Sequence, residues 1–156
     1  HAPLAQAVAC ATVALCAESL GLMDRALWIT RDYLKTREQF GAPLASFQSL
    51  QHRMSEMLIE LELSRSMVYR ALSRLNSTPA ERDAAVSAAK LHIGRSGRFV
   101  CGQAIQLHGG IGFTWESDCQ FYYRRARLLT LALGAKSHWA DVLVRSLEQR
   151  NTMMAG

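Results

Sequence analysis

The amino-acid sequence predicts an all-α fold, an antiparallel four-helix up-and-down bundle. Three observations carry this expectation. Apolar residues recur at alternating steps of three and four, the period of a helix face, over most of the 156 residues. Only three prolines break the chain, and β-branched runs are scarce. The helical stretches are long and the breaks between them short, which makes sequential helices antiparallel neighbours.

The first helix is predicted from about residue 4 to 36, with Leu15, Ser19, Leu22, Ala26, Ile29 and Tyr33 on one face. Gly21 lies inside it and costs about 1 kcal/mol against alanine, which points to a close neighbour there. Residues 36–46 break the pattern, with Gly41 and Pro43 as punctuation. The second helix is predicted from about Phe47 to Leu75. Its seam of Leu50, Met54, Met57, Leu61, Ser64, Val68, Ala71 and Leu75 has the packing period of a left-handed bundle. Leu58 and Leu72 widen the stripe toward a second neighbour.

Residues 76–78 form a short turn. Thr78, Pro79 and Glu81 then spell a capping box with proline at the first helical position. The third helix runs from about 79 to 107 and buries Val86, Ala89, Ile93, Val100, Ala104 and Leu107. Gly94 and Gly97 predict tight helix–helix contact. Ser117 with Gln120 repeats the capping logic and opens a fourth helix near 118–131. The run Gly134-Ala135-Lys136 interrupts it, and Ser137 caps a last helix to about Arg150, carrying Trp139, Val142, Leu143 and Leu147. Residues 1–150 read as a single helical-bundle domain and 151–156 as a frayed tail. The chain begins inside a helical pattern, so it is expected to be a piece of a longer protein.

The net charge is +5, with basic residues spread along the chain apart from the short run Tyr122-Tyr123-Arg124-Arg125-Ala126-Arg127. That distribution suits a solvated face or a subunit contact and argues against a nucleic-acid partner. A phosphate-bearing small ligand also suits it. The four cysteines, Cys10, Cys16, Cys101 and Cys119, form no C-x-x-C pair and have no metal-ligand spacing. They read as buried free thiols of a reducing, cytoplasmic compartment. The alanine-rich start, Ala2 to Ala17, falls short of a membrane span.

Metal and nucleophile chemistry find no support. A carboxylate-bridged bundle needs Glu-x-x-His, which is absent, and the five histidines are scattered singly, with His1 terminal. No serine or cysteine sits in a nucleophile elbow.

Two loops carry the candidate chemistry. Gln106-Leu107-His108-Gly109-Gly110-Ile111-Gly112-Phe113 places three glycines in four positions after a long helix. Such a run is either a turn or a place where backbone N–H groups meet an anion. His108 either contacts a ligand or complements the helix dipole. In Arg37-Glu38-Gln39-Phe40-Gly41-Ala42-Pro43, Arg37 suits the dipole or a phosphate, Phe40 offers a flat face, and Gln48 just beyond can read an amide or hydroxyl. Phosphate, ring and amide contacts together would suit a nucleotide.

Taken together, Arg37-Glu38-Gln39-Phe40-Gly41 with Phe47-Gln48, and Gln106 through Phe113, resemble the C-terminal domain of the acyl-CoA dehydrogenase family in order and spacing. The likeness covers nearly the whole chain, and the wording from Leu107 to Glu116 is most similar to actinobacterial members. The resemblance implies the last of three domains, in a dimer or tetramer that binds FAD across subunits. It implies that Arg37 reaches the FAD pyrophosphate, with Phe40 and Gln48 nearby. It also implies that Gln106, Leu107, His108, Gly109 and Gly110 contact the adenosine half of a neighbour's FAD. Acyl-CoA would be the substrate, dehydrogenated at its α and β carbons, and an electron-accepting flavoprotein the partner.

The departures concern the catalytic base. Where most family members carry a glutamate before a Gly-Thr pair, this chain has Leu133; where others carry one in the first helix, it has Ala11. Neither accepts a proton. The family's Arg-Asp-Ala reads Arg124-Arg125-Ala126, and Ala135 and Ser137 replace residues that help hold the flavin. Three explanations stand: a silent subunit of a heteromer with a second dehydrogenase chain, a base from elsewhere with Glu18 the nearest candidate, or a shifted register in the first helix.

Overall fold

The third long helix is the axis of the fold, and every other helix packs against it. The computed structural model describes residues 2–155. Helix α1 spans Ala2–Thr36, α2 Gln48–Ser73, α3 Pro79–His108, α4 Cys119–Leu131 and α5 Lys136–Ala155. A hairpin of β1 (Glu38–Gln39) and β2 (Ala42–Pro43) follows α1, and short 3₁₀ turns cover Leu44–Ser46 and Gly109–Phe113.

Cross-helix pairs fix the directions. The Gln6 amide donates to the Leu75 carbonyl at 2.9 Å, and Arg65 meets Asp24 at 3.2 Å, so α1 and α2 are antiparallel. Arg95 meets Glu60 and Arg53 meets Gln103, each at 3.0 Å, so α2 and α3 are antiparallel. Along α3, Tyr123 lies beside Gly102, Thr130 beside Gly94, and Trp139 packs with Val86. α4 and α5 therefore run back along α3 in succession and share the fourth position, an up-down-up-down bundle.

The α1–α3 contact runs the length of both helices: Gln6 meets Arg82, Ser19 meets Gly97 and Tyr33 meets His108. A Cβ at Gly97 would lie 3.0 Å from Ser19 Oγ, and one at Gly94 would lie 3.1 Å from Thr130 Cγ2. Both helical glycines thus hold the close approach their spacing predicted. Gly21 does not: nothing lies within 4 Å of the position its Cβ would take.

The α2 seam is buried at Met57, Leu61, Ser64, Val68 and Ala71, as the period required. Leu58 and Leu72, expected to face a second neighbour, are exposed. In α1 the core stripe is Ala9, Val13, Cys16, Met23, Ala26, Leu27 and Leu34; of the expected face Ser19 and Ala26 are buried and Leu22, Ile29 and Tyr33 pack against the core, so that face is one edge of a broader stripe. The helix touches α2, α3 and α4, which makes its buried arc broad and its centre hard to locate by spacing. Pro3–Thr36 is in fact long and apolar enough to cross a membrane, unlike the shorter start considered above. Its apolar side here lines the bundle core. Cys16, Cys101 and Cys119 are buried free thiols, while Cys10 is exposed.

The helix ends follow local chemistry unevenly. At α3 the capping box forms in full: the Glu81 N–H donates to Thr78 Oγ1, and the Thr78 N–H to Glu81 Oε2 at 3.3 Å. The second expected box does not. α4 starts after Asp118 without a side-chain cap, Ser117 Oγ accepts from the Cys119 N–H, and the Gln120 amide turns back to the Thr114 carbonyl at 2.8 Å. Helix α5 begins one residue before Ser137 and runs to Ala155, beyond the expected end at Arg150. His1 lies outside the described residues. Thr78→Ala removes the one complete cap and is expected to lower unfolding free energy by about 1 kcal/mol in urea denaturation; an unchanged midpoint would show that the box contributes nothing.

Candidate functional site

The site is built at the end of the bundle where α1 and α3 finish and α2 begins. The Arg37 N–H closes the last turn of α1 on the Tyr33 carbonyl, and the Arg37 carbonyl accepts the Leu44 N–H, both at 2.8 Å. Between these bonds the hairpin pairs Glu38 with Pro43 and Gln39 with Ala42. Its two turn residues, Phe40 at φ 56° and Gly41 at φ 79°, both have left-handed backbone, as a two-residue type I′ hairpin requires. Glycine takes this at no steric cost, whereas phenylalanine loses about 1–2 kcal/mol. The Phe40 ring stands 92% exposed, edge-on to Phe47 at 6.1 Å. Arg37 and Gln48 are also exposed, and Arg37 has no acidic partner among the described residues.

The glycine-rich loop divides its residues between core and surface. Leu107 and His108 are buried, while Gln106, Gly109 and Gly110 are exposed. His108 Nδ1–H donates to the Ala104 carbonyl at 2.8 Å, and the Cys119 thiol lies 3.5 Å from Nδ1. Burial holds the His108 pKa below the ordinary imidazole value despite that hydrogen bond. The imidazole is turned inward, packed between Tyr33 and Cys119.

The glycines have separate jobs. Gly109 ends α3 at φ 62°, ψ −140°, a region only glycine occupies readily. A Cβ at Gly112 would lie 2.5 Å from the Ile105 carbonyl oxygen, so that position must stay bare for the loop to fold back on α3. Around Gly109 and Gly110 nothing lies within 4 Å of a notional Cβ, which leaves the backbone open on one side.

Tyr33 ties the two loops together. Its ring stacks on His108 at 4.3 Å between centroids and 23° between planes, and its hydroxyl donates to the His108 carbonyl at 3.3 Å. Its own carbonyl receives the Arg37 N–H. The structure therefore brings Arg37, Phe40 and Gln48 to the same end as Gln106, Gly109 and Gly110. Sequence reasoning placed Tyr33 only on a packing face; its spacing of four before Arg37 was the available signal. Next to the glycine loop, Trp115 lies 5.5 Å from Phe121, and the Arg124 guanidinium lies 5.7 Å from the Trp115 ring, an aromatic corner the sequence reading did not single out.

The α4–α5 corner is formed by Leu133 at φ 59° and Gly134 at φ 125°. A Cβ at Gly134 would lie 2.8 Å from His138 Cδ2 and 3.1 Å from Trp139 Nε1, so the corner closes tightly on α5. Leu133 is partly exposed, and Ala11 sits on the exposed side of α1. Glu18 is bound to Arg125 at 2.6 Å, and that hydrogen bond holds its carboxyl below the usual carboxylate range. A carboxylate pinned in this way is a poor proton acceptor. It also answers the change of charge at Arg125, whose guanidinium has Glu18 as partner.

Acid should loosen this end of the molecule. The unfolded chain binds a proton at His108 more readily than the folded one, so stability falls as pH drops below about 6.5 and levels off past the depressed folded value. His92 adds a fall of the same sign, because its burial outweighs the nearby Glu60 carboxylate. His108→Phe keeps a ring against Tyr33, and its melting temperature is expected to fall less between pH 7 and pH 5; an equal fall would remove His108 as the source.

Residues 6–147 match the family model described as acyl-CoA dehydrogenase, C-terminal domain. The chain is 36% identical over 124 residues to the acyl-CoA dehydrogenase IpdE2 of Mycolicibacterium smegmatis, covering 80% of this chain and 38% of that protein. It superposes with a TM-score of 0.86 on butyryl-CoA dehydrogenase from Megasphaera elsdenii, at 26% identity, over 93% of this chain and 38% of that one. The ChsE4–ChsE5 complex from Mycobacterium tuberculosis matches with a TM-score of 0.82 at 28% identity, over 90% and 38%. The chain thus spans little more than a third of the length of these relatives. It belongs to the acyl-CoA dehydrogenase family and corresponds to that family's C-terminal domain.

Proposed function

We propose that the chain is the flavin-contacting and subunit-pairing domain of an acyl-CoA dehydrogenase that acts on an acyl-CoA thioester with FAD as cofactor. The observation that carries this reading is the Tyr33–His108 stack, which holds an unpaired arginine loop and an open glycine backbone at one end of the bundle. The residues fit the cofactor. Arg37 has the planar donor fork that suits a diphosphate. Gly109 and Gly110 leave room for a ligand against bare backbone. Phe40 offers an exposed ring face, and Gln48 and Gln106 offer amides. Leu107 and His108 support the loop from inside rather than through side-chain contact.

When bound, the flavin supplies the hydride acceptor for the acyl β-carbon. The chain's own part would be to hold the diphosphate with Arg37, with Phe40 nearby, and to admit the adenosine half of a neighbour's FAD at Gly109 and Gly110. No general base is assigned to this chain: Leu133 and Ala11 do not titrate, and Glu18 is committed to Arg125. That observation favours a second reading, in which the protein is the silent member of a heteromer whose other chain carries the glutamate. The likeness to the ChsE4–ChsE5 complex supports such pairing. Under either reading an electron-accepting flavoprotein takes the electrons, and the assembly is a dimer or tetramer.

Arg37→Ala in the full-length protein is expected to weaken FAD retention by about ten- to a hundredfold, the range for losing one charge-assisted hydrogen bond. Flavin absorbance after dialysis reads this, and an unchanged flavin content would count against the loop. The two readings separate by assay. A full-length protein that is yellow and reduces a dye acceptor with acyl-CoA on its own carries a base from another segment. A protein that gains dye reduction only when mixed with a glutamate-bearing dehydrogenase chain is the silent subunit.

A further inference from the structure

Helix α2 has a second patterned face. Its core seam, Met57, Leu61, Ser64, Val68 and Ala71, is buried. On the opposite side Ser55, Ile59, Glu62, Ser66, Tyr69 and Ser73 recur at alternating steps of four and three, and all six are exposed. Leu63 and Arg70 stand beside this stripe, also exposed. Ile59, Leu63 and Tyr69 are 59%, 50% and 64% exposed, which leaves three large apolar side chains together in solvent. Leu58 and Leu72 continue the apolar surface toward α1, in step with Arg65, which reaches Asp24 there.

Two features suit this face to being covered. The serines spend their hydroxyls on their own helix: Ser55 donates to the Gln51 carbonyl at 2.9 Å, Ser66 to the Glu62 carbonyl at 3.1 Å and Ser73 to the Arg70 carbonyl at 2.9 Å. A hydroxyl already bonded in this way can be buried at little polar cost, and its small side chain lets a second helix come close. Charge and size are also arranged about Ser66. Glu62 lies four residues before it and Arg70 four after; Leu63 lies three before and Tyr69 three after; Ile59 lies seven before and Ser73 seven after. Turned end for end about Ser66, the face is therefore its own complement: Glu62 meets Arg70, Leu63 meets Tyr69 and Ile59 meets Ser73. A parallel pairing would instead set Glu62 on Glu62 and Arg70 on Arg70, which like charge disfavours. Arg70 has no acidic partner among the described residues, and Glu62 has Arg65 at 3.3 Å.

We propose that a second copy of this chain packs on this face, α2 against α2 and antiparallel, with the two-fold axis passing at Ser66. A two-fold interface uses the same patch on both copies, so each contact occurs twice. Two Glu62–Arg70 pairs then flank two Leu63–Tyr69 contacts, with the two Ser66 side chains at the crossing. The inference deepens the subunit-pairing part of the proposed function and rests on it; it does not rest on the flavin part.

Cysteine cross-linking of the purified full-length protein tests the axis. Cys10 is the exposed native thiol among the four, so Cys10→Ala is the background. Ser66→Cys, oxidised with copper phenanthroline, is expected to give a covalent dimer that a thiol reductant reverses. Ser55→Cys, equally exposed but about 16 Å along the helix from the axis, is expected to give none. Charge reversal tests the pairing. Arg70→Glu should weaken self-association by about tenfold or more in sedimentation equilibrium, because the symmetry repeats the like-charge contact. Adding Glu62→Arg restores opposite charges and should bring the association back to within about threefold of the parent. Flavin absorbance is read on the same samples. A yellow protein that does not cross-link marks failure of this pairing alone, and a colourless one that does marks failure of the flavin reading alone. No covalent dimer at Ser66→Cys, an equal yield at Ser55→Cys, cross-linking only to a different dehydrogenase chain, or a double reversal that leaves the association weak would each overturn the proposal.

Discussion

One stacked pair of rings fixes the relation between the two loops. Tyr33 and His108 lie 75 residues apart in the chain and 4.3 Å apart in space. Their contact is partly buried at the end of the bundle, and burial lowers the pKa of the histidine. Because α1 and α3 pack along their full length, they end together, and the stack locks that register. The arginine hairpin and the glycine turn are then two exits from one rigid joint. Sites set by such a joint are held more closely than sites carried on a free loop.

The bundle achieves this with little side-chain bulk between its central helices. Gly97 against Ser19, and Gly94 against Thr130, bring backbones close where larger residues would force them apart. The apolar mass sits to either side, in Met23, Leu27, Met57 and Leu61. Polar pairs such as Arg95 with Glu60 set helix direction more than they add stability, since exposed ion pairs contribute little.

Most of the fold was legible in the sequence because most of it is periodic. The α2 seam and the α3 face were readable from spacing alone, and Thr78-Pro79 marked a helix start that the structure makes in full. The α1 face was readable only in part: Ser19 and Ala26 are buried as the spacing required, but a helix with three neighbours buries a wider arc than one stripe. Ser117 and Gln120 misled for a different reason: the Ser117 hydroxyl accepts from the Cys119 N–H at the start of α4, and the Gln120 amide turns back to the Thr114 carbonyl, so the two do not pair in a box. At the site, the loops were visible as glycine and arginine runs, but the joint was not. Tyr33 and His108 look like ordinary helix residues until the two helix ends are known to coincide.

That corner separates shape from chemistry. Its path is dictated by Gly134, which no side chain can replace without striking His138 and Trp139, whereas residue 133 contributes a left-handed backbone and a side chain half in solvent. The side chain at 133 can therefore vary while the helices on either side still meet at the same angle. A domain built this way fixes its shape at one position and leaves the neighbouring one open to different side chains.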